Sequence, residues 1–492
     1  MLTKAKWTLP LLLFSSLPVQ AEKLNINQLL QNVIDHYPAI KTAYYQVASA
    51  QQENIKIQGQ LGWQLGAKVG FAQEVSLFGV PVQQTSLGGS LNRKLESGDS
   101  LSLSATLAHD DADESTIPSL PNPSTFSDLR FEYTKPLGKG ADNIEYKLSL
   151  INSKAGVDIK IADQQALMDK MATQIIELYL SAVNTKHRIN NTKASIERTN
   201  KLVKFIKDRF KLGIVENKDQ LQTDAQLQSQ KAQLSALNLA WTQQTIAINR
   251  ITGRNWNQPL QLTVPDFKPA KDSTVENNIN LVKTYSPELR QLNSLISIAE
   301  NKIQVQRQNN KDNLDLKFYI GNKTSDGDTQ SGSVSDSDVI AGVQLDFKQS
   351  IDKSSDNAAL FQAQLERGLQ LQNKKLLLEN LHFDLASLLA ETKAVTQSIQ
   401  AYKKSKAAEV KKLSDAEQRY KSGRIDIDQL LQFENQLSAT ELTLNLQKME
   451  LQQRLLKLSL LKGEIWKDIK IPVYDFAMDD FEADASVTGE SL

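Results

Sequence analysis

The stretch RFKLGIVENKDQLQTDAQL, residues 209–227, returns in altered form as RYKSGRIDIDQLLQFENQL, residues 419–437. The two stretches align without a gap at an offset of 210 residues, and each holds one glycine, Gly213 or Gly423, in the same place. Glycine is the usual residue at the C-terminus of a helix, because it adopts the left-handed conformation without steric cost. The sequence therefore predicts two copies of one helical hairpin.

The helix before Gly213 carries a strict seven-residue period. It is predicted from about Asp142 to Leu212, and a second helix runs back from about Glu216 to Gly253. The apolar positions spaced by seven are Met168, Ile175, Ala182, Ile189, Ile196, Val203 and Phe210. Such a period keeps one stripe facing a partner helix, which is typical of a coiled coil. At ~1.5 Å per residue this helix would be roughly 100 Å long.

The duplication organises the whole chain. In the second copy a long helix from about Asn357 ends at Gly423, and the returning helix ends at Gly463. The predicted segments are a signal peptide at 1–21, a first repeat at 22–260, a linker at 261–273, a second repeat at 274–465 and a polar acidic tail at 466–492. The stretch NQPLQLTVPDFKPAKDST, residues 257–274, holds three prolines and no apolar period, so an extended connection is expected there.

The N-terminus indicates an exported protein. Lys4 and Lys6 precede the apolar run WTLPLLLFSSLPV and a small-residue cleavage signal that ends at Ala21. The run is too short and too broken by proline to span a bilayer, as expected of a secretory signal peptide. The chain has no cysteine, which excludes disulfides and Cys-ligated metals. Lys plus Arg and Asp plus Glu both number 57, which argues against a nucleic-acid surface.

The chain offers no catalytic pattern. The four histidines, which lack ligand spacing, are His36, His109, His187 and His382. Neither a nucleotide-binding loop nor a nucleophile elbow is present. TSDGDTQSGSVSDSD, residues 324–338, is rich in oxygen ligands but lacks the spacing of a calcium loop, so a solvated loop is favoured. The sequence therefore predicts a protein that is not an enzyme and uses no cofactor or metal.

Between the helices, the period changes to the two-residue alternation of β-strands. WQLGAKVGF, residues 63–71, places its apolar side chains on one face and its polar or small residues on the other. The alternation recurs in LSLSATLAH at 101–109, LRFEYTKPL at 129–137, LDLKFYI at 314–320 and VIAGVQLDF at 339–347. Two-faced strands are therefore expected at about 63–137 in the first repeat and at about 314–347 in the second.

These strands are expected to form a barrel in a membrane. Long polar loops are predicted from Asp110, DDADESTIPSLPNPST, and from Asn322, NKTSDGDTQSGSVSDSD. Strands of ~9 to 11 residues with an apolar face, a polar face and long loops are typical of transmembrane barrels. Six candidate strands are too few for a wide pore, so several copies are expected to share one barrel. The predicted fold is mainly α, with duplicated coiled-coil hairpins and a transmembrane β-barrel.

This combination of features resembles the outer-membrane efflux proteins of the TolC family, over nearly the whole mature chain. The most specific residues are FKLGIV at 210–215 and YKSGRI at 420–425, and YTKPLGKGADN at 133–143 is similar to the family's strand-to-helix junction. The resemblance implies a homotrimer whose hairpins close a tube across the periplasm of a Gram-negative bacterium, with its barrel in outer-membrane lipid. It also implies two partners, a periplasmic adaptor protein and an inner-membrane pump, and hence the exit duct of a tripartite efflux or type I secretion system.

The resemblance also implies roles for residues near the turns. The adaptor-docking turns would be Leu212, Gly213, Ile214, Ser422, Gly423 and Arg424. The periplasmic gate, which holds the resting entrance shut, would use Asp219, Tyr420, Arg424, Asp428, Gln429 and Gln432. Arg424 lies one residue before the position of the family's gate arginine, which Ile425 occupies here. A helix cap explains each glycine equally well, and a solvated helix face is the alternative for the charges.

The sequence leaves several alternatives open. The resemblance implies two strands in each half, but the first half offers four, because an added hairpin at 87–109 turns at 96–99. This hairpin would either enlarge the barrel or stand beyond it. The alternative function is a soluble periplasmic coiled-coil scaffold without a pore. For a channel, the sequence does not distinguish efflux of small toxic compounds from secretion of a protein.

Overall fold

The computed structural model is mainly helical, with 65% of residues in helices. The predicted signal peptide and the part of the predicted tail after residue 471 lie outside the described residues. Among the residues described, no helix is both long and apolar enough to cross a lipid bilayer. The described ranges are 23–75, 81–112, 121–270 and 274–471.

The helices confirm the duplicated hairpins. They are α1 (Ile26–His36), α2 (Pro38–Gly59), α3 (Ile144–Lys211), α4 (Asn217–Ile251), α5 (Val275–Tyr285), α6 (Pro287–Asn309), α7 (Ser354–Lys421) and α8 (Ile427–Leu461). The two long helices α3 and α7 have 68 residues each, and the two returning helices α4 and α8 have 35 each. Each boundary of α7 and α8 lies 210 residues after its counterpart in α3 and α4, so the two hairpins match in length from end to end.

The seven-residue period of α3 follows its buried stripe, except at the end. Five of the seven predicted positions are buried, and these are Met168, Ile175, Ala182, Ile189 and Val203. Ile196 is half-buried, whereas Phe210 is 41% exposed. Phe210 departs from the prediction because it lies in the last turn of the helix, where the buried cluster beneath the turn uses Ile206 instead.

Six of the strands form one antiparallel sheet. The strands are β1 (Lys23–Leu24), β2 (Gln64–Val75), β3 (Pro81–Lys94), β4 (Ser100–Ala112), β5 (Ser124–Pro136), β6 (Gln261–Leu262), β7 (Asn313–Thr329) and β8 (Gly332–Lys348). The order in the sheet is β2-β3-β4-β5-β7-β8, and every neighbouring pair is antiparallel. In the predicted linker, β6 pairs in parallel with β1.

The strand register aligns the apolar side chains of all six strands on one face. Val69 lies opposite Leu87, which in turn lies opposite Leu107. Near the other end of the strands, one row of directly paired residues runs Leu65, Leu91, Leu103, Phe131, Ile320 and Ala341. We call this surface the apolar band. Because side chains alternate along a strand, the opposite face carries the polar set, as the sequence predicts.

One predicted loop is instead a continuation of two strands. Residues 322–338 were expected to form a long polar loop, but β7 continues to Thr329 and β8 starts at Gly332. Only two residues separate the strands, and Thr329 pairs with Gly332, whose φ is 132°. The apolar alternation stops near residue 322, whereas the ladder of backbone hydrogen bonds continues through polar residues. Of the other predicted loop, residues 113–120 lie outside the described residues.

The added hairpin lies inside the sheet. It consists of β3 and β4, which join β2 to β5, and its turn is closed by a 2.8 Å hydrogen bond from the Leu95 amide to the Asp99 carbonyl. Gly98 has a φ of 93° at this turn, a conformation that favours glycine. The structure therefore removes one of the two alternatives, because the hairpin enlarges the sheet.

The chain forms two compact units, and each contains parts of both repeats. One unit combines the described residues up to Pro38 with Met168–Tyr285 and the described residues from His382 onward, and it holds both hairpin turns. The other unit combines Ala39–Leu167 with Ser286–Leu381, and it holds the six-stranded sheet.

Candidate functional site

Two exposed turns join the helices of the hairpins. Gly213 ends α3 with a φ of 69°, and the Ile214 amide donates a 3.0 Å hydrogen bond back to the Arg209 carbonyl. Gly423 ends α7 with a φ of 73°, and the equivalent hydrogen bond is 2.9 Å. Both turns have the backbone pattern of a helix end capped by a left-handed glycine. The positive φ explains why glycine stands at both positions.

The predicted docking residues are exposed at these turns. Leu212 is 73% exposed and Ile214 is 60% exposed, which is unusual for apolar side chains. Ser422 and Arg424 are also exposed. A Cβ atom added at Gly213 or at Gly423 would meet nothing within 4 Å. Each turn therefore has free space around its glycine.

A buried apolar cluster supports the second turn. Tyr420 is buried in it, and the Phe205 ring lies 6.1 Å from the Tyr420 ring, centroid to centroid. Burial raises the pKa of the Tyr420 hydroxyl, and the negative charge of Asp219 raises it further. The cluster consists of Ile206, Leu413, Ala416, Tyr420, Ile427, Leu430, Leu431 and Leu437. It draws on α3, α7 and α8, so it connects the two hairpins.

The structure brings some of the predicted gate residues together. Asp219 lies close enough to Tyr420 to affect its pKa. The Asp428 carboxylate on α8 accepts a hydrogen bond from the Gln222 amide on α4, which is a polar contact between the hairpins. Within the described ranges, five of the six predicted gate residues form no hydrogen bond or ion pair through their side chains, and these are Asp219, Tyr420, Arg424, Gln429 and Gln432.

A polar cluster that the sequence analysis missed lies between the hairpins. The Arg198 Nε on α3 donates hydrogen bonds of 2.9 and 3.0 Å to the two carboxylate oxygens of Glu434 on α8. Ser195 donates to the same carboxylate at 2.8 Å, and Gln230 on α4 donates to the Ser195 hydroxyl at 3.0 Å. Burial by itself would lower the pKa of Arg198, but the hydrogen bonds and charge of Glu434 outweigh burial and raise it. We call these four residues the Arg198 cluster.

One sequence signal could have identified this cluster. The buried stripe of α8 contains Leu430, Leu431, Glu434 and Leu437, so a carboxylate occupies a position that helical spacing assigns to the apolar face. A buried carboxylate needs a partner, because removing a charge from water costs free energy. The partner lies 236 residues earlier in the chain, and the spacing along a helix does not reveal it.

No candidate metal centre is found in the part of the chain that the structure describes, because no three His, Asp or Glu side chains gather there. Several polar groups near the turns instead bond to one another between the two hairpins. The site is thus a set of contacts between helices, together with two exposed turns.

No protein-family model matches the chain, and no curated protein matches it. Solved structures do match. The outer-membrane channel OprN is 14% identical, with 89% of each chain covered and a TM-score of 0.67.

Two further matches are outer-membrane proteins from named bacteria. The outer membrane protein VceC from Vibrio cholerae is 13% identical, with 89% of this chain and 95% of that chain covered and a TM-score of 0.64. The Campylobacter jejuni CmeC outer membrane channel is 13% identical, with 94% of this chain and 89% of that chain covered and a TM-score of 0.62. The three matches cover 89 to 94% of this chain. The chain therefore has the fold of the TolC-family outer-membrane channels that its sequence resembles.

Proposed function

We propose that this protein is an outer-membrane channel, the exit duct of a tripartite efflux or type I secretion system in a Gram-negative bacterium. The observation that carries the proposal is the apolar band. Its side chains are exposed in the single chain on all six strands, with Val69 77% exposed and Val343 67% exposed. A band of this extent on a soluble protein would be an aggregation hazard, whereas in a bilayer it faces lipid.

The same observation disfavours a periplasmic scaffold. A scaffold would cover the apolar face of its sheet with its own helices, and the described chain leaves the band open. The structural matches support the channel, since they carry the names of channels or outer membrane proteins rather than enzymes. In the proposed assembly three copies form one duct, an adaptor docks at the hairpin turns, and an inner-membrane pump supplies the energy.

Membrane fractionation tests the proposal directly. Cells that express the full chain are lysed, and the membranes are separated by density and washed with high salt. A barrel protein is expected to stay with the outer membrane, because apolar burial in lipid is not screened by salt. Release into the wash, or recovery with the soluble periplasmic proteins, would favour the scaffold.

The docking role predicts that both turn glycines are required for transport. Replacing Gly213 or Gly423 with valine places a β-branched side chain at positive φ and fills the free space at the turn. Both variants are expected to reach the outer membrane as trimers but to lose most transport and most cross-linking to the adaptor. Leu239→Thr serves as the control, because it also introduces a β-branched side chain at an exposed position, but on α4 and away from the turns. Unchanged adaptor cross-linking in both glycine variants would show that the glycines only end the helices.

The gate role predicts a change in conductance. If Asp219 and Arg424 help to close the entrance in the trimer, neutralising both as Asp219→Asn and Arg424→Gln is expected to raise single-channel conductance in planar bilayers. An exposed contact contributes only about 0.2 to 1 kcal/mol, so docking could open it. The difference from wild type is expected to shrink as salt screens the wild-type charges. Equal conductance of both proteins at low salt would assign closure to other residues.

A further inference from the structure

The geometry points to a wider outlet than two strands per half would form: β2 of one copy pairs with β8 of the next, and three sheets of six strands close an 18-stranded barrel. The number of copies rests on the function proposed above, while the pairing of the edges rests on the sheet itself. The occupant of each sheet edge is thus a second copy of this chain.

The two edges of the sheet have unpaired backbone groups. Within the described residues, β2 is hydrogen-bonded to β3 alone and β8 to β7 alone. In a bilayer no water satisfies such groups, so only a closed barrel leaves no edge exposed to lipid. One sheet of six strands does not close a pore by itself, because side chains already fill the interior of an eight-stranded barrel.

The strand directions require β2 to meet β8. Rotation about a pore axis sets the first strand of one copy against the last strand of the next, as in any head-to-tail ring. Every neighbouring pair in the sheet is antiparallel, and six is an even number, so β2 and β8 run in opposite directions. The new pair is therefore also antiparallel, and the alternation continues around the barrel without interruption.

The faces of the two edge strands also match. When Gln64 pairs with Lys348, all twelve residues of β2 find partners in β8. This register sets Val69 of one copy opposite Val343 of the next, so the apolar band continues across the junction. A slip of one residue would turn the apolar side chains of β2 into the pore.

The added hairpin widens the sheet, and the middle of its polar face carries no charge. On the polar face, the middle parts of β3 and β4 carry only small uncharged residues, and these are Ser86, Gly88, Ser90, Ser102, Ser104 and Thr106. Side chains of this size leave the interior open. Since barrel diameter grows about linearly with strand number, the outlet is about 1.5-fold wider than that of a twelve-stranded barrel. The cargo class that fits is bulky and hydrated, with no selection by charge from the middle of the added strands.

Cysteine cross-linking tests the pairing, because the chain has no cysteine of its own. Two double variants are compared, Val69→Cys with Val343→Cys on the apolar face and Lys68→Cys with Gln344→Cys on the polar face. One of the two faces has the shorter Cβ separation that suits a disulfide. Oxidation, or a short bis-maleimide, is expected to link the purified detergent-solubilised protein into dimers and closed trimers on non-reducing gels. Val69→Cys with Gln344→Cys places the thiols on opposite faces and is expected to remain largely unlinked.

Other products would overturn the inference. A faster-migrating monomer would mean that the two edges meet within one chain. If both double variants remain monomeric with the oxidant and with the bis-maleimide, then β2 and β8 do not meet. Linked rings of two or four chains would contradict the count of 18 strands.

A second measurement reads the width of the outlet. Deleting Pro81–Ala112 removes β3 and β4 and leaves β2 beside β5 in antiparallel orientation. Neutral polymers added from the outer side are expected to enter the wild-type outlet at a larger size than in this variant, and an equal size limit would overturn the widening. If the deletion variant does not fold, the cross-linking experiment by itself tests whether β2 of one copy pairs with β8 of the next. Cross-linked rings without transport would contradict the proposed duct alone, whereas transport without β2–β8 links would contradict the barrel alone.

Discussion

Replacing Glu434 with alanine is expected to lower the free energy of unfolding of the unit that holds both hairpin turns by about 3 kcal/mol. The substitution leaves the Arg198 guanidinium between helices without its anion and removes the hydrogen-bond acceptor of Ser195. Loss of one partner of a buried ion pair typically costs about 3 to 5 kcal/mol. We expect the lower end because the side chain of Arg198 is 32% exposed while that of Glu434 is 9% exposed.

Denaturant titration of the detergent-solubilised protein, followed by far-UV circular dichroism, measures this effect. Asp415→Ala is the matched control, since Asp415 and Arg419 form an ion pair in the same unit in which both side chains are 59% exposed. That control is expected to change stability by less than about 1 kcal/mol.

A double variant separates charge from packing in the Arg198 cluster. Arg198→Met combined with Glu434→Leu removes both charges, so no unpaired charge remains between the helices. This variant is expected to recover much of the stability that Glu434→Ala loses, because apolar replacement of a buried ion pair is often neutral. A double variant that is less stable than Glu434→Ala would show that the cluster contributes mainly through its shape.

Replacing Gly463 with alanine is expected to destabilise the protein far more than the same change at Gly423. Both glycines have positive φ, 68° and 73°, so alanine costs about 1 to 2 kcal/mol at either position. At Gly423 the new Cβ would meet nothing within 4 Å. At Gly463 it would overlap the ring of Tyr285, well inside van der Waals contact.

The Tyr285 ring is not free to move away. Its hydroxyl donates a 2.7 Å hydrogen bond to Asp169, and the same carboxylate oxygen accepts a 2.8 Å hydrogen bond from Trp466. Overpacking of this kind adds about 1 to 3 kcal/mol to the cost at Gly463. Comparing the denaturation midpoints of the two alanine variants measures the difference. Equal midpoints would mean that Tyr285 moves aside at no cost.

Much of the fold could be predicted from short-range pattern. The seven-residue period in α3 and the turn glycines Gly213 and Gly423 predicted both hairpins, and the structure confirms them within a few residues. These features depend on neighbours within two helical turns, which is the range over which apolar periodicity acts. Phe210, at the end of the apolar stripe of α3, is the exception. Its exposure depends on which side chains pack beneath the turn.

The two-residue alternation predicted only part of the length of β7 and β8. Alternation located the apolar part of β7 and β8, but the strands continue through the polar residues 322–338. In that region both faces of the strands are polar, so no alternation of apolar and polar residues marks a strand. The strands are maintained there by backbone hydrogen bonds between β7 and β8. Of the candidate site, the sequence indicated the turns and the gate residues, and those roles stay predictions. Its helical spacing did not indicate that Arg198 pairs with Glu434.

The sequence by itself determined the duplicated hairpins, the positions of their turns and the two-faced character of the strands, because local periodicity and glycine conformation suffice for these features. Only the tertiary structure decided that the added hairpin lies between β2 and β5, and that Arg198 meets Glu434 across 236 positions in the chain. The first is a pairing of strands that follow one another in sequence, and the second is a contact between segments distant in sequence. They arise from the packing of whole elements against one another, and no repeat along one segment encodes them.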